Sequence, residues 1–79
     1  LDATLSILVD APRFLEENGL LVCEVGESEE RLLALLPDLP FLWLDFSHGG
    51  SGVFILTRKE LEHAHAQLAA LLEERKNVT

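Results

Sequence analysis

Apolar residues recur at helical spacing in the first segment of the chain. Positions 1, 5, 8, 9, 12 and 15 are apolar, and this spacing predicts an amphipathic helix over residues 1–18. Gly19 supplies the stop that commonly ends such a helix. Pro12 would remove a backbone hydrogen bond and collide with the carbonyl of Leu8, so we expect a kink or break there.

The second segment has the pattern of a buried strand followed by a helix. Residues 20–25 read Leu-Leu-Val-Cys-Glu-Val, which is apolar on both faces apart from Glu24. Such a run is typical of a central, parallel strand that helices cover on both sides. Gly26 then opens a turn, and Ser28 is the expected N-cap of a helix that ends before Pro37.

The third segment predicts a hairpin and a closing helix. Residues 41–46 and 53–56 are aromatic-rich and β-branched runs, and they flank the glycine-rich stretch 47–52. Thr57 and Glu60 form the sequence signature of a capping box, which starts a helix running to about Lys76. We expect Phe41 and Trp43 to share one face of their strand and to lie in the core.

The order of these elements predicts an α/β fold. A strand, a crossover helix and a second strand form a right-handed parallel unit, and the hairpin partner must then run antiparallel. The expected sheet is therefore three-stranded and mixed, with flanking helices. We treat residues 1–79 as a single, partial domain, because the chain begins at Leu1 inside a helix already under way.

Composition narrows the function classes. Hydrophobic residues make up 48% of the 79 residues, which argues against disorder, and the apolar runs are too short to span a membrane. The balance of 14 acidic against 6 basic residues makes nucleic acid a poor direct partner. The single cysteine, Cys23, excludes an internal disulfide and fits a reducing cytoplasm, where we expect it to act as a small buried hydrophobe.

Three stretches together resemble a known family. These are Leu20-Leu-Val-Cys-Glu-Val-Gly26, Pro40-Phe-Leu-Trp-Leu-Asp-Phe46 and Gly49-Gly-Ser-Gly-Val-Phe-Ile-Leu-Thr57. The chain is similar to the C-terminal end of PrmB-type protein glutamine N5-methyltransferases, of the HemK family, which modify a large-subunit ribosomal protein. The conjunction of Cys-Glu-Val-Gly with Gly-Gly-x-Gly-Val-Phe carries the resemblance, which covers the chain to about Leu72.

The resemblance implies a fold, a cofactor and a reaction. The family has a Rossmann-like sheet whose antiparallel last strand inserts between its two predecessors, and residues 20–25, 41–46 and 53–57 would be those three strands. The complete enzyme would transfer a methyl group from S-adenosylmethionine to a glutamine side-chain amide. The family's Gly-rich cofactor loop and its Asn-Pro-Pro-Tyr motif do not occur in this sequence. We therefore expect no catalytic and no cofactor-binding residue here, and no activity from these 79 residues alone.

Residues beyond the carboxyl ends of the parallel strands are the candidates for a substrate-side rim. They are Glu24, Gly26, Ser47, His48, Gly49 and Gly50. Glu24 either caps amides at its strand end or orients the substrate or the family's tyrosine loop, which this sequence lacks. The stretch 47–52 lacks a following helix and a lysine, so a hairpin connection is favoured over a phosphate cradle. His48 is by default a solvated loop residue.

Other polar clusters have simpler explanations. Glu27, Glu29 and Glu30 compensate a helix dipole, although they would also attract a basic ribosomal protein. His63 and His65 are two residues apart and point to different sides of a helix, so no metal site is expected.

Two rival functions and one assembly state follow from the same observations. The alternatives are a fragment of an adenine-specific nucleic-acid N6-methyltransferase and a non-catalytic acidic interaction module. We also expect the isolated chain to form homodimers through an open sheet edge or exposed helix faces, since an unpaired apolar edge seeks a partner.

Overall fold

A computed structural model describes residues 1–44 and 52–76 of the chain. The helices are α1 (Asp2–Asp10), α2 (Glu29–Leu35), α3 (Arg58–His63) and α4 (His65–Lys76). The strands are β1 (Leu20–Glu24), β2 (Leu42–Leu44) and β3 (Val53–Thr57). Two short 3-10 turns, Ala11–Arg13 and Gly26–Ser28, follow α1 and β1. None of the helices described has the length and apolarity needed to cross a bilayer.

The strands form one sheet in the order β1-β3-β2. In the register, Val22 of β1 lies opposite Ile55 of β3, which lies opposite Leu42 of β2. The last strand in sequence is thus the middle strand in space, as the resemblance implies. The predicted hairpin pairing of β2 with β3 is also present.

The expectation of a mixed sheet is wrong for the ladders that the structure describes. Both β1 and β2 pair with β3, and both pairings are antiparallel. Because β3 lies between them, β1 and β2 point in the same direction without sharing a hydrogen bond. The strand directions therefore agree with the sequence analysis, while every ladder among the described residues is antiparallel.

The core lies on one face of this sheet. Phe54 and Leu56 of β3 are fully buried, and every helix contributes leucines to the same cluster. The buried helical leucines are Leu5, Leu8, Leu32, Leu61 and Leu68. The opposite face of the sheet receives no helix from the described residues. The prediction that helices cover β1 on both sides is therefore wrong for the described residues, and β1 alternates between exposed and half-buried positions along its length.

The predicted break at Pro12 is confirmed. The α-helix ends at Asp10 and gives way to the 3-10 turn Ala11–Arg13, with the proline in its first turn. A proline is tolerated at that place because its nitrogen would have no intrahelical partner. The side chain of Arg58, at the start of α3, contacts the segment that leads to β1: its Nη1 donates a hydrogen bond to the carbonyl of Leu15 at 3.0 Å.

The capping box is confirmed atom by atom. The backbone amide of Glu60 donates to Thr57 Oγ1 at 3.0 Å, and the amide of Thr57 donates to Glu60 Oε1 at 2.8 Å. The helix that follows is less regular than predicted, because it is divided at Ala64 into α3 and α4. Neither proline nor glycine occurs at that point, so nothing in the sequence indicated the division.

An aromatic cluster lies beside the core, as predicted for Phe41 and Trp43. The rings of Phe41 and Trp43 have centroids 5.4 Å apart, and each meets Phe54 edge-on, at 4.9 and 5.4 Å. Edge-to-face packing at these separations adds to the stability gained from burial alone. Both outer rings are half-buried and Phe54 is fully buried, so the cluster is structural.

Candidate substrate-side rim

The rim predicted from the sequence is only partly within the described residues. Glu24 is the last residue of β1, and Gly26 is the first residue of the 3-10 turn that follows it. Both lie at the carboxyl end of β1, as expected. Ser47, His48, Gly49 and Gly50 lie outside the described residues, so their part in the rim stays a prediction.

A glycine pair fixes the end of β1 against the start of β3. Gly26 and Gly52 have positive φ angles of 54° and 75°. A Cβ added at Gly52 would lie 2.3 Å from the carbonyl oxygen of Gly26, whereas one added at Gly26 would meet nothing within 4 Å. The Val25 amide donates to the Gly52 carbonyl at 2.6 Å and extends the β1–β3 ladder past its last residue pair. Only a glycine at position 52 permits this close approach of two backbones.

Gly52 was not among the predicted rim residues. It belongs to the glycine-rich stretch that the sequence analysis treated as a hairpin connection. A run of glycines indicates close backbone approach somewhere, but the partner, Gly26, is a distant residue in the sequence. Only the β1–β3 register brings the two together.

Glu24 is not the buried carboxylate that the strand pattern suggested. It lies opposite Val53 and is exposed, on the sheet face that no described helix covers. A solvated carboxylate needs no partner in the protein, so the premise that it interrupts a buried strand is wrong here. Its position at the strand end leaves it accessible to a partner or a substrate.

Three carboxylates surround a shallow cleft next to Gly26. The cleft has a volume of about 370 Å³, and it is lined by Gly26, Glu27, Glu29 and Glu30. Glu29 and Glu30 lie in the first turn of α2, where the helix dipole favours negative charge. The cleft is therefore an acidic surface at the carboxyl end of β1.

Ser28 does not cap α2 as predicted. Its side chain accepts no capping hydrogen bond, because the preceding 3-10 turn leaves Ser28 with a near-helical φ of −82° and ψ of 1°. An N-cap that accepts a hydrogen bond usually has an extended backbone. The turn Gly26–Ser28 thus runs directly into the helix.

Cys23 lies on the core side of β1 and is half-buried. Burial raises the pKa of the Cys23 thiol above its ordinary value, so the neutral form is favoured. The prediction of a small apolar packing residue is confirmed in kind, although the side chain is not fully enclosed.

Comparisons with known proteins give a consistent result. The chain is 51% identical over 75 residues to the ribosomal protein uL3 glutamine methyltransferase of Xylella fastidiosa strain Temecula1, a match that covers 95% of this chain and 24% of the relative. The protein of the same name from Xanthomonas campestris is 47% identical over the same shares of the two chains. That from Francisella tularensis is 46% identical over 61 residues, which are 77% of this chain and 19% of the relative.

No family model matches the chain, and no solved structure gives a significant match. The curated relatives therefore carry the assignment. The chain spans about a quarter of the length of those that it matches over nearly all its residues. At 47–51% identity over 95% of its length, it matches a segment of the ribosomal protein uL3 glutamine methyltransferases.

Proposed function

We propose that this chain is part of an S-adenosylmethionine-dependent enzyme that methylates the N5 side-chain amide of a glutamine in ribosomal protein uL3. The observation that carries the proposal is the identity of 47–51% over 95% of the chain to relatives bearing that name. Such a substrate suits a cytoplasmic enzyme. Nothing in these relatives favours the adenine-specific methyltransferase or the non-catalytic acidic module.

The fold supports this proposal at a finer level. In the Rossmann-like sheet implied by the resemblance, β1 and β2 would be the last parallel strands and β3 the antiparallel strand inserted between them. The order β1-β3-β2 supports this proposal, because the last strand in sequence is the middle strand of the sheet. We propose that residues 1–79 form the partial domain at this margin of the catalytic sheet.

The described residues do not fit a site for the cofactor. The cleft at the end of β1 is shallow, is lined by carboxylates and contains no glycine-rich loop leading into a helix of useful length. S-adenosylmethionine would supply the methyl group from its sulfonium when bound. The residues that hold it would lie in the part of the enzyme that corresponds to the remaining length of the relatives.

The contribution of this chain would be the substrate-side rim. Gly26 and Gly52 hold the end of β1 against the start of β3, and Glu24 is accessible at the same edge. Ser47, His48, Gly49 and Gly50 would complete the rim. The carboxylates of Glu27 and Glu30 are exposed beside it and would attract a basic ribosomal protein, an effect that salt weakens.

A chimeric enzyme tests this function. The chain would replace the matched 75 residues of the Xylella relative, and methyl transfer from S-adenosylmethionine to purified uL3 would be measured. We expect turnover by the chimera and none by the 79-residue chain alone. A folded chimera without activity, beside an active parental enzyme, would contradict the assignment.

The rim is tested in the same chimera by Glu24→Gln. Because Glu24 is exposed, the change should leave the melting temperature unaltered while kcat/KM for uL3 falls. The matched control is Glu73→Gln, which removes another exposed carboxylate, from α4. Equal kcat/KM values for the two variants would remove Glu24 from the rim.

We further propose that the isolated chain self-associates through the outer edge of β1 or through neighbouring helix faces. That edge has no partner strand among the described residues. An apolar groove of about 350 Å³ lies beside it, lined by Ile7, Ala11, Phe14, Leu15, Leu21 and the polar residues Ser6 and Asp10. Phe14 is 81% exposed, which is unusual for a phenylalanine that serves only its own chain.

A further inference from the structure

A cleft lies where α3 and α4 meet the segment that leads into β2, and we call it the α3–α4 cleft. Its volume is about 340 Å³. Ala64, at which the helix is divided into α3 and α4, is one of its lining residues. A volume of this size lies at the lower end for ligand sites, so it suits one long side chain better than a cofactor.

The floor of the α3–α4 cleft is apolar. It contains Leu39, which is only 8% exposed, and the half-buried Ala64. Pro40 lies beside them and is exposed. Such a floor favours the methylene groups of a long side chain whose polar end remains near water.

Polar groups surround this floor. The carboxylates of Asp38 and Glu60 line the cleft together with His63 and Gln67. Asp38 is exposed, whereas Glu60 is half-buried and accepts the Thr57 amide through one of its oxygens. The amide oxygen of Gln67 is a further acceptor. An apolar floor bordered by carboxylates matches the stem and the charged end of a lysine or arginine side chain.

Within residues 1–44 and 52–76, the chain's own cations pair with other carboxylates. The ion pairs of this part of the chain involve Asp2, Asp10 and Glu62. Asp38 is thus available to a cation from another molecule. The balance of 14 acidic against 6 basic residues in the whole chain further favours a basic partner.

The α3–α4 cleft lies away from the candidate rim. It is formed by residues that precede β2 and residues that follow β3, whereas the rim is at the carboxyl end of β1. Since β1 and β2 point in the same direction, these are opposite ends of the sheet. In the proposed enzyme the remaining strands would adjoin β1, and β2 is the strand farthest from β1, so the cleft stays open to a partner.

We propose that the α3–α4 cleft binds a lysine or arginine side chain of the basic ribosomal protein substrate, at a point remote from the glutamine that is methylated. This inference rests on the proposed function. The methylene stem would lie on Leu39 and Ala64, and the cationic end would reach the carboxylate of Asp38. Such a contact strengthens the binding of the substrate protein and leaves the methyl transfer itself unchanged.

Two substitutions in the chimera with the Xylella relative test the proposal. Asp38→Asn removes the carboxylate, and Gln67→Lys places an ammonium group of the chain itself at the cleft. Both positions are exposed, so the melting temperature should not change. We expect each substitution to raise the KM and the Kd for uL3 about threefold to fivefold, the effect of one partly exposed ion pair. The kcat and the KM for S-adenosylmethionine should stay the same.

The matched control is Glu74→Gln. It removes an exposed carboxylate from α4 and alters the net charge by the same amount as either test variant, but Glu74 does not line the cleft. Its KM and Kd for uL3 should therefore remain at the parental values. An equal increase in all three variants would mean that overall charge attracts uL3, and it would overturn the proposal.

Turnover and binding are measured separately, so this proposal and the proposed function can fail independently. Unchanged KM and Kd values for both variants of a folded, active chimera would overturn the cleft and leave the function intact. A folded chimera that does not methylate uL3, yet binds it less tightly after Asp38→Asn and Gln67→Lys than after Glu74→Gln, would support the cleft and contradict the function.

Discussion

Two structural constraints act on Gly52. Its φ of 75° is unfavourable for any L-residue with a side chain, and its missing Cβ leaves room for the backbone of Gly26. The two constraints act together, because relieving the φ strain would break the hydrogen bond from the Val25 amide to the Gly52 carbonyl.

Replacing Gly52 by alanine should therefore lower the free energy of unfolding by roughly 2–3 kcal/mol. The control is Gly26→Ala, which has a similar φ but open space around the new methyl group and should cost about 1 kcal/mol. Urea denaturation of both variants measures the difference. An equal loss for the two would show that the close approach of the backbones does not limit stability.

Cys23 makes the stability of the folded chain depend on pH in the alkaline range. Burial raises the folded-state pKa of its thiol above the ordinary value of 9.0. The neutral Cys23 thiol therefore contributes its full share of the folding stability below pH 9. This contribution is lost as the pH rises through the folded-state pKa, because the unfolded chain releases the proton first.

As the pH rises above 9, the free energy of unfolding of the native chain should fall more steeply than that of a Cys23→Ser variant. The serine has a similar size and does not titrate in this range, so the other alkaline groups cancel in the comparison. Urea midpoints measured on both sides of the thiol pKa check this. Parallel pH profiles would contradict it.

Among the elements, those governed by local rules were predictable from the sequence. Pro12 ends α1 because its nitrogen has no hydrogen to donate within a helix. The side chains of Thr57 and Glu60 start α3 because each accepts a hydrogen bond from the backbone amide of the other residue. The predictions that were wrong concern features that depend on tertiary contacts. Ser28 has no capping role because a 3-10 turn precedes it, and the uncovered side of β1 depends on residues outside the strand.

The same distinction applies to the candidate rim. Gly26 was predicted as a rim residue because ligands of open sheets bind beyond the carboxyl ends of the strands. Gly52 was missed, since its importance arises from a contact between two glycines that are far apart in sequence. The sequence of one segment indicates the periodicity and the turns of that segment. It does not indicate which distant part of the backbone will lie against the segment.

The capping box provides a test at this scale. Thr57→Ala should cost about 1 kcal/mol, because it removes the acceptor of the Glu60 amide and leaves that amide unpaired. Thr57→Ser retains the hydroxyl and should keep most of the stability. Equal urea midpoints for the alanine and serine variants would show that the hydrogen bond to Thr57 Oγ1 contributes nothing.

For the whole molecule, exposed apolar surfaces and net charge have opposite effects on self-association. The outer edge of β1 and the groove around Phe14 favour association, whereas two chains that each carry a net charge of −8 repel one another. The balance should depend on ionic strength, because salt screens the repulsion and leaves the apolar contacts in place.

Self-association of the isolated chain should therefore strengthen as salt is added. Sedimentation or light scattering over a range of concentrations measures it, and Phe14→Ser should weaken it if the groove beside β1 takes part. Dissociation by salt would mean that ion pairs hold the dimer together. A chain that stays monomeric at every salt concentration would remove the expectation of a dimer.

The identity of the reaction product decides whether this chain serves a glutamine methyltransferase. Ribosomal protein uL3 would be incubated with S-adenosylmethionine and the chimera that carries this chain, and its peptides would be analysed by mass spectrometry. We expect one added methyl group on the side-chain amide of a glutamine, and none after incubation with the 79-residue chain alone. An unmodified uL3, or a methyl group on any other type of residue, would contradict it.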